Sequence, residues 1–229
     1  MKKIVLSLAT LFILSKSFAG DISEKSNLFG LLGGFSVNTM NYKEISDDKR
    51  GAKVGGLFGF AFEHRFKNVA AIEIQALYVN KGAQSKTDNA FFKTTNRLNF
   101  HSVELPVLAK FYLGKKKIFN INVGGYASYS FVTQLRVKGE NKVTGDKIDD
   151  KSENYSKSEN NPKDVNGNRL FNVYDAGVIG GFEFISQKGF GAGARLSQGF
   201  IDFTNPKYIV DDDKKIWHTG VQFYMTYKF

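Results

Sequence analysis

From Val54 to Phe66 the chain alternates with a period of two. Val54, Gly56, Phe58, Phe60, Phe62 and Phe66 fall on one face, and Lys53, Gly55, Gly59, Ala61, Glu63 and Arg65 on the other. Successive side chains of a strand point to opposite sides, so this predicts a strand with one apolar and one polar face. The pattern recurs. Ala70, Ile72, Ile74, Ala76 and Tyr78 oppose Glu73 and Gln75, and only Lys67-Asn68, the length of a tight hairpin turn, stands between the two runs. Phe29, Leu31, Phe35 and Val37 oppose Gly30, Gly34, Ser36 and Asn38. Val103, Leu105, Val107, Ala109, Phe111 and Leu113 oppose Glu104, Lys110 and Tyr112. Phe119, Ile121, Val123, Ala127, Tyr129 and Phe131 oppose Asn120, Asn122, Ser128 and Ser130. Tyr174 to Phe184 and Phe190 to Phe200 repeat the scheme around Asp175, Glu183, Arg195 and Ser197. With Val221, Phe223, Met225, Tyr227 and Phe229, which alternate with Gly220, Gln222, Tyr224, Thr226 and Lys228, eight strands are predicted.

Their connections alternate in length. Lys67-Asn68, Gly114 to Lys117 and Gln187 to Gly189 are short, whereas residues 41–52, 80–97, 134–170 and 202–216 are long and polar. Aromatics cluster on the apolar faces at both ends. Phe29, Phe111, Phe119, Phe184, Phe190, Tyr227 and Phe229 fall near the short turns, and Tyr78, Tyr129, Phe131, Tyr174, Phe200 and Trp217 near the long connections. Short turns on one side, long loops on the other and two aromatic girdles are the marks of a transmembrane β-barrel. Hydrocarbon cannot hydrogen-bond a peptide group, so a sheet in lipid must close on itself. A soluble barrel with its apolar face inward would show many Lys and Glu on the other face. That face carries mainly Gly, Ser and Asn with sparse charges of both signs, which suits a crowded lumen. The expected fold is an all-β, eight-stranded antiparallel up-and-down transmembrane β-barrel over residues 28–229, with both termini periplasmic.

Composition sharpens the setting. Lys2 and Lys3, the apolar run Ile4 to Leu14 and Ser17-Phe18-Ala19 read as a cleaved signal peptide over residues 1–19, with residues 20–27 a short periplasmic segment. The chain holds no Cys, which excludes disulfides and thiolate metal sites. Its net charge of +10 falls to +7 once Lys2, Lys3 and Lys16 leave with the signal. In a secreted chain that basic balance points to anionic lipid headgroups, or to no specific partner, rather than to nucleic acid.

The terminal strand, with Val221, Phe223, Met225, Tyr227 and Phe229 on one face, resembles the assembly signal read by the barrel-insertion machinery of Gram-negative bacteria. The segment His101 to Gly114, HSVELPVLAKFYLG, resembles the signature strand of the PorT-like outer-membrane β-barrel family at Glu104, Leu105, Pro106, Lys110 and Phe111. The resemblance implies an eight-strand barrel in the outer membrane. Some members of that family serve a protein-secretion system.

Candidate chemistry is sparse. Glu63, Arg65, Glu73, Glu104, Lys110, Glu183 and Arg195 all face the lumen and are expected to neutralise one another, because buried charges are costly unless paired. A proton or ion path is the alternative. Pro106 cannot donate to a ladder, which predicts a bulge or local distortion there. Asp164 to Asn168 with Asp175 faintly echoes a calcium loop, but Arg169 stands where its turn glycine belongs. Asp211-Asp212-Asp213 reads as a charged loop without an ion, and Gly189-Phe190-Gly191-Ala192-Gly193 as small lumen residues rather than a phosphate loop. His64, His101 and His218 show no Ser and acid at triad spacing, so no enzyme, cofactor or metal is expected. Residues 134–170 hold eight Lys/Arg against seven Asp/Glu, a composition that buries no core and reads as a mobile loop, either for recognition or as a hydrophilic surface shield with no partner. The functional expectation is a monomeric, closed barrel with a structural or interaction role, in contact with outer-membrane lipid, the insertion machinery and an envelope or extracellular protein. A PorT-like secretion accessory is the first alternative, and a narrow pore or lipid-modifying enzyme the second.

Overall fold

The computed structural model describes residue 22 and residues 25–41, 49–66, 69–88, 90–155, 172–202 and 217–229. Ten strands form a single antiparallel sheet: β1 (Asn27–Asn41), β2 (Lys49–Gly51), β3 (Lys53–Phe66), β4 (Ala70–Asp88), β5 (Phe92–Leu113), β6 (Phe119–Asn141), β7 (Lys147–Tyr155), β8 (Tyr174–Ile185), β9 (Phe190–Gly199) and β10 (Trp217–Lys228). Eight of them close a ring in the order β1, β3, β4, β5, β6, β8, β9, β10, with β10 pairing back onto β1. The short β2 pairs β4 and β7 pairs β6, both outside the ring.

The wall is apolar outside and polar inside. Phe60 is 66% exposed, whereas Glu63 and Glu73 are fully buried. Along β5 the odd positions from Val103 to Leu113 point out, and Ser102, Glu104, Leu108, Lys110 and Tyr112 point in. The outer rings pair across strands: Phe35 stacks on Phe223 at 5.3 Å, and Phe119 meets Phe184 at 4.7 Å. Such pairs add to a sheet beyond its ladder. Phe190–Tyr227 (4.6 Å) lies at the short-turn end, Tyr129–Tyr174 (5.3 Å) and Phe58–Tyr78 (4.9 Å) at the other.

The turn after β8 needs Gly189, whose φ of +87° few side chains adopt and whose missing Cβ leaves room for the Lys228 carbonyl. Ile22 caps this end. It packs with Leu28, Ala71, Tyr112 and Ile185, its N–H donates to the Gln187 carbonyl at 3.0 Å, and its own carbonyl accepts from Arg65 at 2.7 Å.

Two expectations need correction and a third is met in part. Residues 80–97 are not a loop: β4 runs to Asp88 and β5 starts at Phe92, in register up to Asp88–Lys93. Nor is the whole of 134–170 loop, since Gln134–Asn141 completes β6 and Lys147–Tyr155 pairs with it as β7. Residues 80–97 and Lys147–Tyr155 are mostly polar on both faces, and in Gln134–Asn141 the apolar alternation is only Leu135 and Val137, too short to read as a strand. Of the bulge or local distortion expected at Pro106, the distortion is present, whereas the bulge lies at His101/Ser102, where Phe131 is the extra residue of β6. At Pro106 the β4–β5 ladder instead skips the pairs with Gln75 and Ala76 and resumes unshifted. The signal peptide, Lys67-Asn68, Asp164 to Asn168, Asp211-Asp212-Asp213 and residues 156–171 lie outside the described residues.

Candidate functional site in the barrel lumen

Within the apolar band, period-two alternation carries the described charges of the barrel wall inward, and the register then decides which meet. Glu63 on β3 stands directly opposite Glu73 on β4, an arrangement that repels unless a cation joins it. Two do. Lys110 Nζ lies 2.8 Å from Glu73 Oε2, 2.9 Å from Glu183 Oε1 and 3.3 Å from Glu63 Oε2. Lys228 Nζ reaches the same three carboxylates at 2.6, 3.0 and 2.5 Å. It has room because Gly30, its partner on β1, has no side chain. Arg65 Nε bonds the other oxygen of Glu63 at 2.7 Å, the Tyr112 hydroxyl donates to Glu63, and the Tyr224 hydroxyl donates to Glu183 at 3.1 Å. Three carboxylates thus balance three cations.

A second cluster lies nearer the long-connection end. Lys81 Nζ sits 2.5 Å from Glu104 Oε2 and 3.4 Å from Asp175 Oδ2, and 4.4 Å from the centre of the Tyr126 ring. The Tyr126 hydroxyl donates to Asp175 at 2.9 Å. Between the clusters, Arg195 donates to Gln222 and Gln75 at 2.6 and 2.7 Å and lies 5.0 Å from the Tyr224 ring centre.

Of the seven lumen charges named from sequence, Glu63, Arg65, Glu73, Lys110 and Glu183 meet in one network, Glu104 belongs to the other, and Arg195 binds amides. Lys228, Lys81 and Asp175 were missed as members. Lys228 and Asp175 were legible as inward positions, but Asp175 meets Lys81 across 94 residues of sequence, which a single strand does not disclose. Of the assembly-signal residues, Phe223, Met225 and Phe229 are exposed on the outer wall and Val221 and Tyr227 are partly so.

The arrangement favours a plug over a reactive site. Oxygens of Glu63, Glu73 and Glu183 lie within 4.8 Å of one another, a spacing that could hold a metal ion, yet two ammonium groups already bond all three. The histidines have amide or phenol partners: His64 with Asn27 at 2.6 Å, His101 with Tyr78 at 2.5 Å, His218 with Asn38 at 2.9 Å.

Among solved structures the chain is similar to Neisserial surface protein A (12% identity, 88% of this chain and 97% of that one, TM-score 0.43). It is also similar to the attachment invasion locus protein Ail of Yersinia pestis (8%, 90% and 100%, TM-score 0.40) and to OprG of Pseudomonas aeruginosa (13%, 92% and 99%, TM-score 0.35). All three are distant likenesses in outline. No curated protein matches the chain. The family described as outer membrane protein beta-barrel domain matches residues 18–205. The closed ring, its apolar outer wall and that match agree: the chain belongs to the outer membrane protein beta-barrel domain family and is an integral protein of the outer membrane.

Proposed function

We propose that the barrel is a closed anchor and that the protein acts through the sheet it raises above the membrane, as an interaction protein of the cell surface. One observation carries this reading. β4, β5 and β6 are 19, 22 and 23 residues long, whereas about 9–11 tilted residues cross a bilayer. Half of each stands outside the apolar band, while the lumen below is filled by paired charges. With the short turns periplasmic, that extension faces the exterior.

Its tip supports the same reading. The Lys142 N–H donates to the Phe91 carbonyl at 2.8 Å and Lys142 Nζ pairs with Asp88 at 2.5 Å, which ties the β4–β5 hairpin to the β6–β7 hairpin. Phe91, Phe92 and Val143 are exposed there, as apolar anchors for a protein partner would be. A photo-crosslinking residue in place of Val143, activated in living cells, should capture a discrete partner protein. Capture of none, together with single-channel conductance by the purified barrel, would replace this reading with a pore.

The PorT-like signature favours a second reading, an accessory role in protein secretion. Its Glu104 and Lys110, however, are both fully buried in the lumen networks, so a need for a filled barrel accounts for them without a secretion partner.

A further inference from the structure

Above the apolar band, the side of the sheet that faces lipid lower down turns cationic. Even positions of β4 from Ala70 to Tyr78 and odd positions of β5 from Val103 to Leu113 face outward, and the unshifted register carries the same side up to Gln84, Lys86, Thr95 and Arg97. In β6 the extra residue Phe131 switches parity, which brings Arg136 and Lys138 to that side. Two neighbouring rows follow, Gln84–Arg97–Arg136 and Lys86–Thr95–Lys138–Asp149.

Register sets like charges face to face here, Arg97 across from Arg136. Directly opposed like charges destabilise a sheet. Asp149 offsets part of the excess, accepting from Arg136 Nε and Nη2 at 2.8 and 2.7 Å and lying 3.2 Å from Lys138 Nζ. Lys86 and Arg97 have no carboxylate partner among the described residues. Arg97 Nε donates to Gln84 at 3.0 Å, which steadies the guanidinium and leaves its two terminal nitrogens for another acceptor. The next row up, Asp88–Lys93–Glu140–Lys147, is balanced, so the excess is confined to these two rows.

Height selects the anion. Arg97 lies six residues beyond Val103, which pairs with Tyr78 of the upper aromatic girdle. At about 3.3 Å per residue and about 40° of tilt, that places it ~15 Å above the girdle. A glycerophospholipid headgroup layer adds only about 5–8 Å to each side of the hydrocarbon. A phosphate carried on a sugar headgroup reaches further.

We propose that this face binds phosphate groups on the saccharide headgroup of outer-leaflet glycolipid, with Arg97 and Lys86 as primary contacts and Arg136 and Lys138 beside them. The site requires only the outer-membrane setting and not a protein partner at the tip.

The test uses the full folded chain in zwitterionic detergent, with lipid retention read by native mass spectrometry. A glycolipid phosphorylated on oligosaccharide sugars beyond its acylated pair should be retained at least about tenfold better than its dephosphorylated form, and less so at high salt. The Lys86→Gln/Arg97→Gln variant should lose that preference, at about fivefold per cation removed. Removing two charges at the short-turn end, Lys115→Gln/Lys116→Gln, should change nothing, and an unaltered heat shift on gels certifies that each variant is folded. No preference in the parent chain, an equal loss in the short-turn variant, equal retention of phosphatidylglycerol, or displacement by inorganic phosphate alone would each overturn the proposal.

Discussion

Lys228 Nζ lies 2.6 Å from Glu73 Oε2, joining the end of the last ring strand to the lumen face of the third. Removing that ammonium leaves three carboxylates against Lys110 and Arg65, and all three carboxylates are buried. Lys228→Met should therefore destabilise the refolded barrel by about 3–5 kcal/mol. Adding Glu183→Gln restores neutrality and should recover most of the loss. Urea midpoints of the single and double variants check this.

The upper cluster carries one excess negative charge, because Lys81 serves both Glu104 and Asp175. Lys81→Met strands two carboxylates and loses the contact with the Tyr126 ring, at a cost of about 3–5 kcal/mol. Glu104→Gln leaves Lys81 and Asp175 matched one to one and should cost clearly less. An equal effect of both, by the same urea measurement, would show that the cluster is not balanced as described.

Adjacent glycines of β1 should respond in opposite ways to a methyl group. A Cβ at Gly34 would fall 2.0 Å from the Phe223 carbonyl oxygen and 2.7 Å from Tyr224 Cα, whereas one at Gly33 meets nothing within 4 Å. Gly34→Ala forces β1 and β10 apart at the seam and should cost about 1–3 kcal/mol. Gly33→Ala should fold like the parent, as followed by the fraction of heat-shifted barrel after refolding.

On the surface hairpin, hydrogen bonds from Arg136 and Lys138 hold the Asp149 carboxyl below its ordinary range. A depressed folded value means that the pairing contributes above the ordinary aspartate pKa of about 3.9 and is lost as pH falls through the lower value. Hydrogen-exchange protection of β6 and β7 should be equal at pH 7 and pH 5 and drop only in strong acid. Because the pair is exposed, salt should weaken it and Asp149→Asn should lower protection only modestly.

The ring strands were legible because each must turn one side to lipid, and that demand writes a period of two into Phe58 to Phe66 and Val103 to Leu113. The extension was not. Gln84, Ser85 and Lys86, or Arg136 to Glu140, stand in water on at least one side, and only cross-strand pairing makes them strands. The charges of the lumen were legible singly for the same reason that the strands were. Their grouping was not, because it depends on stagger between strands far apart in sequence. Pro106 shows both halves of the lesson. Its missing donor does interrupt a ladder, but the bulge went to Phe131, where β6 changes parity as it leaves the ring.

Phe29 and Phe229 exchange both backbone hydrogen bonds, at 3.1 and 2.8 Å, and so fasten a seam between positions 200 apart in the chain. Until β10 has been delivered to β1, every intermediate has two raw edges, each a template for pairing with a neighbouring molecule. Closure of the ring therefore waits for the last strand to form its ladder with the first. A defect in that seam would reduce the number of molecules reaching the membrane long before it loosened those already there.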